Sequence, residues 1–285
     1  MNNEVPVMYF FGFFFVMACG FSEANLFSLV GLNQFINIET LESISDSWYF
    51  SSFEKESKFN LQKVVIKLQR KERKENYTLF YNSKGLLDKE ESSVFEDYVF
   101  LYQYDEKDRL LSRGDFTFKY LDDFQRERYC RGVLQYKESL EYQKNKIIVT
   151  VISYSERYAD GAIIESGKEI YEYSFIAGLL TDICCTRFNG KGIEKKNKHY
   201  LKLSYDNNRL KSTAEYYGEE LRCERIFEYQ NERLVKQTVS YTNDPAANHV
   251  AEYFDFDKHG NFQHYIKKSA RGIEVSLSRE IVYKY

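Results

Sequence analysis

Proline is nearly missing from this chain: Pro6 and Pro245 are the two it has in 285 residues. So little proline leaves few obligate breaks in a hydrogen-bond ladder and suits long, uninterrupted strands. A basic excess is also missing, since 40 Lys and Arg stand against 43 Asp and Glu for a net charge of −3. Nucleic-acid binders carry a basic stripe or patch, so no nucleic-acid partner is expected. The stretch Arg70 to Lys74 is interrupted by Glu72 and followed by Glu75, and it reads as a solvated turn.

Chemical motifs are equally scarce. The four histidines, His199, His249, His259 and His264, form no helical ligand pair, and neither a Gly-x-Ser-x-Gly elbow nor a phosphate-cradling glycine loop occurs. The run from Asp255 through Asp257 and His259 to Asn261 opens like a calcium loop. However, His259 stands where an oxygen ligand belongs, and Ile266 replaces the closing glutamate. Neighbouring carboxylates such as Glu90 and Glu91 face apart on a strand, and solvent is their expected surrounding. The sequence therefore predicts no enzyme, no cofactor and no metal. Five cysteines, Cys19, Cys130, Cys184, Cys185 and Cys223, are too few for a disulfide scaffold in a domain of this size. Cys184 and Cys185, adjacent on a strand, should face opposite sides and share neither a partner nor a metal.

What the chain does have begins at its first residues. Val5 to Phe21 is an almost wholly apolar run that suits the core of a secretory signal. It ends in Val16-Met-Ala-Cys19-Gly, which resembles a bacterial lipoprotein box and predicts lipidation at Cys19. Cleavage after Ala24 and an uncleaved anchor are the alternatives. The expected organisation is a signal over 1–24, a tether or short amphipathic helix over 25–46, and one repetitive β-sheet domain over 47–285. The expected address is the bacterial cell envelope, periplasmic or surface, with the membrane as partner through the lipid.

Beyond Trp48 the chain turns to alternation. Tyr (25) and Phe (23) are abundant, and they recur every second residue, as in Phe100, Tyr102 and Tyr104, in Phe116, Phe118 and Tyr120, and in Phe254 and Phe256. Such alternation marks half-buried antiparallel strands with one aromatic and one charged face. Leu61 to Glu75 also fits a helical period, and the hairpin is the reading favoured there. A short phrase then keeps returning: an aromatic, an acidic or amide turn, Gly or Arg, and a large apolar residue. It reads Tyr81-Asn-Ser-Lys-Gly-Leu-Leu87, Tyr104-Asp-Glu-Lys-Asp-Arg-Leu110 and Phe256-Asp-Lys-His-Gly-Asn-Phe262. Shorter copies start at Phe175, Tyr205 and Tyr229. Repetition about every 23 to 29 residues leaves room for two strands and two turns. The predicted fold is all-β, a long antiparallel meander of hairpins, with these six aromatics as structural anchors.

This phrase resembles the YD repeat of the RHS family, whose unit runs Tyr-Asp, two variable residues, Gly, Arg or Asn, and Leu. Tyr104-Asp105 with Arg109-Leu110 fits with Asp108 in place of Gly, and Phe256-Asp257 with Gly260-Asn261-Phe262 fits with Phe for Tyr and Leu. The resemblance implies a strip of β-hairpins, of which this chain has too few copies to close a shell. It points to a non-enzymatic envelope lipoprotein that presents a sheet surface to a protein or glycan. A half-barrel carrier of an apolar ligand and an envelope enzyme are the alternatives.

Overall fold

The computed structural model describes residues 61–70, 73–93, 99–157, 161–176, 179–195, 198–207, 209–231, 233–258 and 262–284. The expected signal with Cys19, the 25–46 segment and residues 47–60 lie outside them. Eighteen strands fill the described chain. The first six are β1 Leu61–Arg70, β2 Arg73–Tyr81, β3 Leu87–Ser92, β4 Val99–Tyr104, β5 Leu110–Arg113 and β6 Phe116–Tyr120. The next six are β7 Gln125–Cys130, β8 Val133–Gln143, β9 Lys146–Glu156, β10 Ile163–Ile176, β11 Leu179–Asn189 and β12 His199–Asp206. The last six are β13 Arg209–Tyr217, β14 Glu220–Gln230, β15 Arg233–Tyr241, β16 His249–Phe256, β17 Phe262–Ser269 and β18 Gly272–Tyr283. Among the described residues, a 3-10 turn, Pro245–Ala247, precedes β16.

Each strand pairs antiparallel with the next in sequence, as the alternation predicts, and Leu61 to Glu75 belongs to the β1–β2 hairpin rather than a helix. The open meander is corrected in one respect: β1 also pairs with β18, from Leu61↔Tyr283 to Arg70↔Val275, so the sheet closes into an 18-stranded barrel. An open strip would leave the outer N–H and C=O groups of both end strands without partners, and closure removes both edges.

The repeat phrase has a uniform geometry. Its aromatic and its terminal apolar residue are cross-strand partners in all six copies: Tyr81↔Leu87, Tyr104↔Leu110, Phe175↔Leu180, Tyr205↔Leu210, Tyr229↔Leu234 and Phe256↔Phe262. In the first five the register shifts at the aromatic. The extra residue of such a bulge lets Leu210 face the core in place of Lys211, and Leu210 is only 1% exposed. Neighbouring copies are tied together. Tyr104 Oη donates to the Leu87 carbonyl at 2.8 Å, and Tyr205 Oη donates to the Leu180 carbonyl at 2.7 Å. The Arg109 guanidinium lies 4.3 Å from the Tyr120 ring centre, and that of Arg233 lies 5.3 Å from Phe256.

The acidic or amide residue makes the turn. Asp105 Oδ1 accepts from the N–H groups of Lys107 and Arg109, each at 2.9 Å, and Asp108 takes the left-handed conformation at φ 61°. Asn82 and Gly85 build the same turn. So do Asn189 and Gly192, a copy at the opposite end of the barrel that the sequence reading missed.

The two faces of the wall differ sharply. Inward residues form one apolar cluster, with Val64, Ile66, Leu79 and Leu201 fully buried. A ring of this strand number can hold an aqueous channel, but these residues meet no water. Inward charges are paired: Arg126 with Glu138, and Arg187 with Glu169 at 2.9 Å. Glu90, expected in solvent, also points inward and accepts from Tyr102 Oη at 2.7 Å. The outer face carries cross-strand ion pairs instead, Glu228 with Lys236 at 2.7 Å and Glu252 with Lys268 at 2.5 Å. A membrane-spanning barrel presents a broad apolar band outward. This wall has the reverse polarity.

Candidate functional site

The predicted anchors do not form a site. Tyr81, Phe175, Tyr205, Tyr229 and Phe256 are half-buried and pack against the core cluster, and Tyr104 is held by its bond to Leu87. Burial pushes the phenols of Tyr104 and Tyr205 well above their ordinary range. They are spread along the ring. The cysteines also separate: Cys185 lies on the inner face opposite Tyr171 and Cys184 on the outer face opposite Tyr200. Burial pushes the Cys185 thiol up to about 12.

In the calcium-like run, His259 to Asn261 lie outside the described residues, and the remaining carboxylates are engaged. Asp255 Oδ2 sits 2.8 Å from His264 Nδ1, and Asp257 accepts from Tyr283 Oη at 2.5 Å.

A different place combines polar groups with an open surface. A trough of about 320 Å³ crosses the outer wall over β16, β17, β18, β1 and β2. Two adjacent cross-strand rows build it. One runs Phe254↔His264↔Ser278↔Lys67↔Asn76, and the other contains Ile266↔Ser276↔Gln69↔Lys74. The floor is low because β18 contributes two serines, Ser276 and Ser278, between strands bearing longer side chains. On one side the Phe254 ring stacks on His264, centroids 5.5 Å apart and planes 17° from parallel. On the other side stand Lys67 and Lys74, which make no ion pair among the described residues.

Two features of this site lie beyond a reading of alternation. Phe254 and Phe256 were expected on one face of a strand. Asp255 takes φ 53°, which interrupts the alternation, so Phe256 packs inward while Phe254 is 36% exposed on the outer wall. The trough also straddles the β1–β18 seam, which joins residues from the two ends of the body. The sequence signal that was available is the pair of serines alternating with Val275, Leu277 and Arg279.

The site holds hydroxyl, amide, imidazole and ammonium groups beside an aromatic wall. It suits recognition of a polar ligand with one flat apolar face. Among the described residues, no group of three His, Cys, Asp or Glu is arranged to hold a metal ion.

No family model matches this chain. No curated protein matches it either. Among solved structures it is similar to a porin-like protein from Bacteroides vulgatus ATCC 8482, at 10% identity and a TM-score of 0.45, over 79% of this chain and 98% of that one.

Proposed function

We propose that this chain is a non-enzymatic binding protein of the bacterial cell envelope, a YD-repeat-like barrel held to the membrane by a lipid on Cys19. In this reading the repeats build a rigid wall, and the outer trough is where a glycan or protein docks. The single observation that carries it is the polarity of the wall: apolar residues and paired charges inside, ion pairs and a polar trough outside. Such a barrel is stable in water and needs an anchor to stay at a membrane. Each buried methylene of an acyl chain contributes ~0.8 kcal/mol, and one chain alone binds only marginally, so several chains are expected.

Labelling cells with a palmitate analogue tests the anchor. The wild type should take up label and fractionate with membranes, and Cys19→Ser should do neither. A Cys19→Ser protein that still takes up label and stays with membranes overturns the reading.

A further inference from the structure

Resting on that reading, we infer that the trough across the β1–β18 seam takes an acidic oligosaccharide, a short run of sugar rings bearing carboxylate groups. Its dimensions come first. Neighbouring strands lie about 4.8 Å apart, so five strands give a track of roughly 19 Å running across them. That is a length for several linked rings, not for one small solute.

The chemistry along the track selects among polymers. Ser276 and Ser278 on the floor, with the amides of Gln69 and Asn76 beside them, offer both donors and acceptors, which matches a ligand covered in hydroxyls. The exposed face of Phe254, braced by His264 behind it, offers a flat apolar surface for the C–H face of a sugar. An extended peptide has less to gain here. The ring is closed, so among the described residues β1 and β18 leave no free edge to which a strand could add.

The charge comes from the lysines. Elsewhere on the wall, Lys89 is paired with Glu91 at 2.6 Å, Lys236 with Glu228 and Lys268 with Glu252. Lys67 and Lys74 have no such partner among the described residues, and both line the trough. Of the carboxylates nearest the aromatic side, Glu252 is paired with Lys268, and Asp255 Oδ2 lies 2.8 Å from His264 Nδ1. Two ammonium groups without an ion pair among the described residues, beside a hydroxyl-bearing floor, favour a sugar that brings its own negative charge. As exposed point charges they give a salt-dependent attraction.

The test is calorimetric titration of the full chain in detergent with oligogalacturonate, its fully methyl-esterified form and poly-glutamate, at low and high salt. Oligogalacturonate should bind, its neutral ester should bind at least tenfold more weakly, and raising the salt should weaken only the acidic form. The pair Lys67→Glu with Lys74→Glu should lower affinity at least tenfold, and Phe254→Ala severalfold. These side chains face outward, so the thermal midpoint should hold. Ser278→Arg, which fills the floor without removing any apolar contact, provides an independent block.

No binding of oligogalacturonate, or binding that all these variants leave unchanged, overturns the inference. Equal binding of acid and ester, lost in Phe254→Ala but not in the lysine pair, overturns the acidic assignment while a glycan-binding envelope protein stands. Poly-glutamate binding as tightly, indifferent to Phe254→Ala, makes the trough a docking site for acidic protein and overturns it as well.

Discussion

Where a tyrosine opens the repeat, it can do two jobs with one side chain. Its ring covers the neighbouring hairpin from inside the barrel, and in Tyr104 and Tyr205 its hydroxyl meets a backbone carbonyl of the preceding hairpin that would otherwise face apolar surroundings. The two contributions differ in size and can be separated. A buried hydrogen bond of this kind contributes about 0.5–1.5 kcal/mol, and truncating a buried aromatic costs about 3–5 kcal/mol. Tyr205→Phe should therefore lower the urea midpoint modestly and Tyr205→Ala strongly, out of a total stability of roughly 5–15 kcal/mol. Equal effects of the two substitutions would show that the ring contributes nothing beyond its hydroxyl.

His249 offers a second residue-scale test. Burial, then the nearby Lys267 cation, hold its imidazole below the usual 6.5, with Nδ1 3.1 Å from the Ala247 carbonyl. The unfolded chain then takes up the proton first as the pH falls. Stability from the neutral ring is complete above about 6.5 and declines as the pH drops from there toward the folded value. Urea midpoints measured from pH 7.5 to 5.5 should fall more steeply in the wild type than in His249→Gln. Parallel curves would remove His249 as the cause.

At the scale of elements, hairpins were within reach of the sequence and their joining was not. Alternating aromatics identify a strand from its own residues, and a turn residue such as Asp105 acts on N–H groups two and four positions away. Both are local, which is why β1, β2, β4 and β6 fall where the pattern places them. Pairing of β1 with β18 is set by no local signal. It follows from the twist and the unsatisfied edges of the complete strip. Val65 and Glu280 are registered partners across that seam and both face outward. Cross-strand Cα atoms stand about 4.5–5.5 Å apart, within the span of a disulfide. Val65→Cys with Glu280→Cys should therefore crosslink on mild oxidation, seen as a mobility shift without reductant and mapped by mass spectrometry. A chain that stays uncrosslinked while folded would mean an open strip.

For the whole molecule the decisive property is which face of the wall is apolar. Among the described residues, charged side chains on the outer face and apolar ones within give the wall the opposite polarity to one that spans a bilayer. Inward charges survive because each has a partner nearby. Arg126 and Glu138 are 3% and 0% exposed and face each other across β7 and β8. Removing either would leave a buried, unpaired charge, which is far costlier than removing both. This polarity gives the proposed anchor its role, which is to hold a barrel with a charged outer wall at the membrane.

The sequence by itself determined the strand content and the pairing of each strand with the next. These depend on side-chain period and turn chemistry, which act over a few residues. Only the tertiary structure decided that the strip closes, that Glu90 is inside and that Phe254 is outside. It also decided that Lys67, Lys74, Phe254 and Ser278 share one trough. Closure depends on the summed twist of eighteen strands, and the exposure of Phe254 on one left-handed residue, Asp255. Alternation alone fixes a side chain's face only until a bulge or a positive φ resets it.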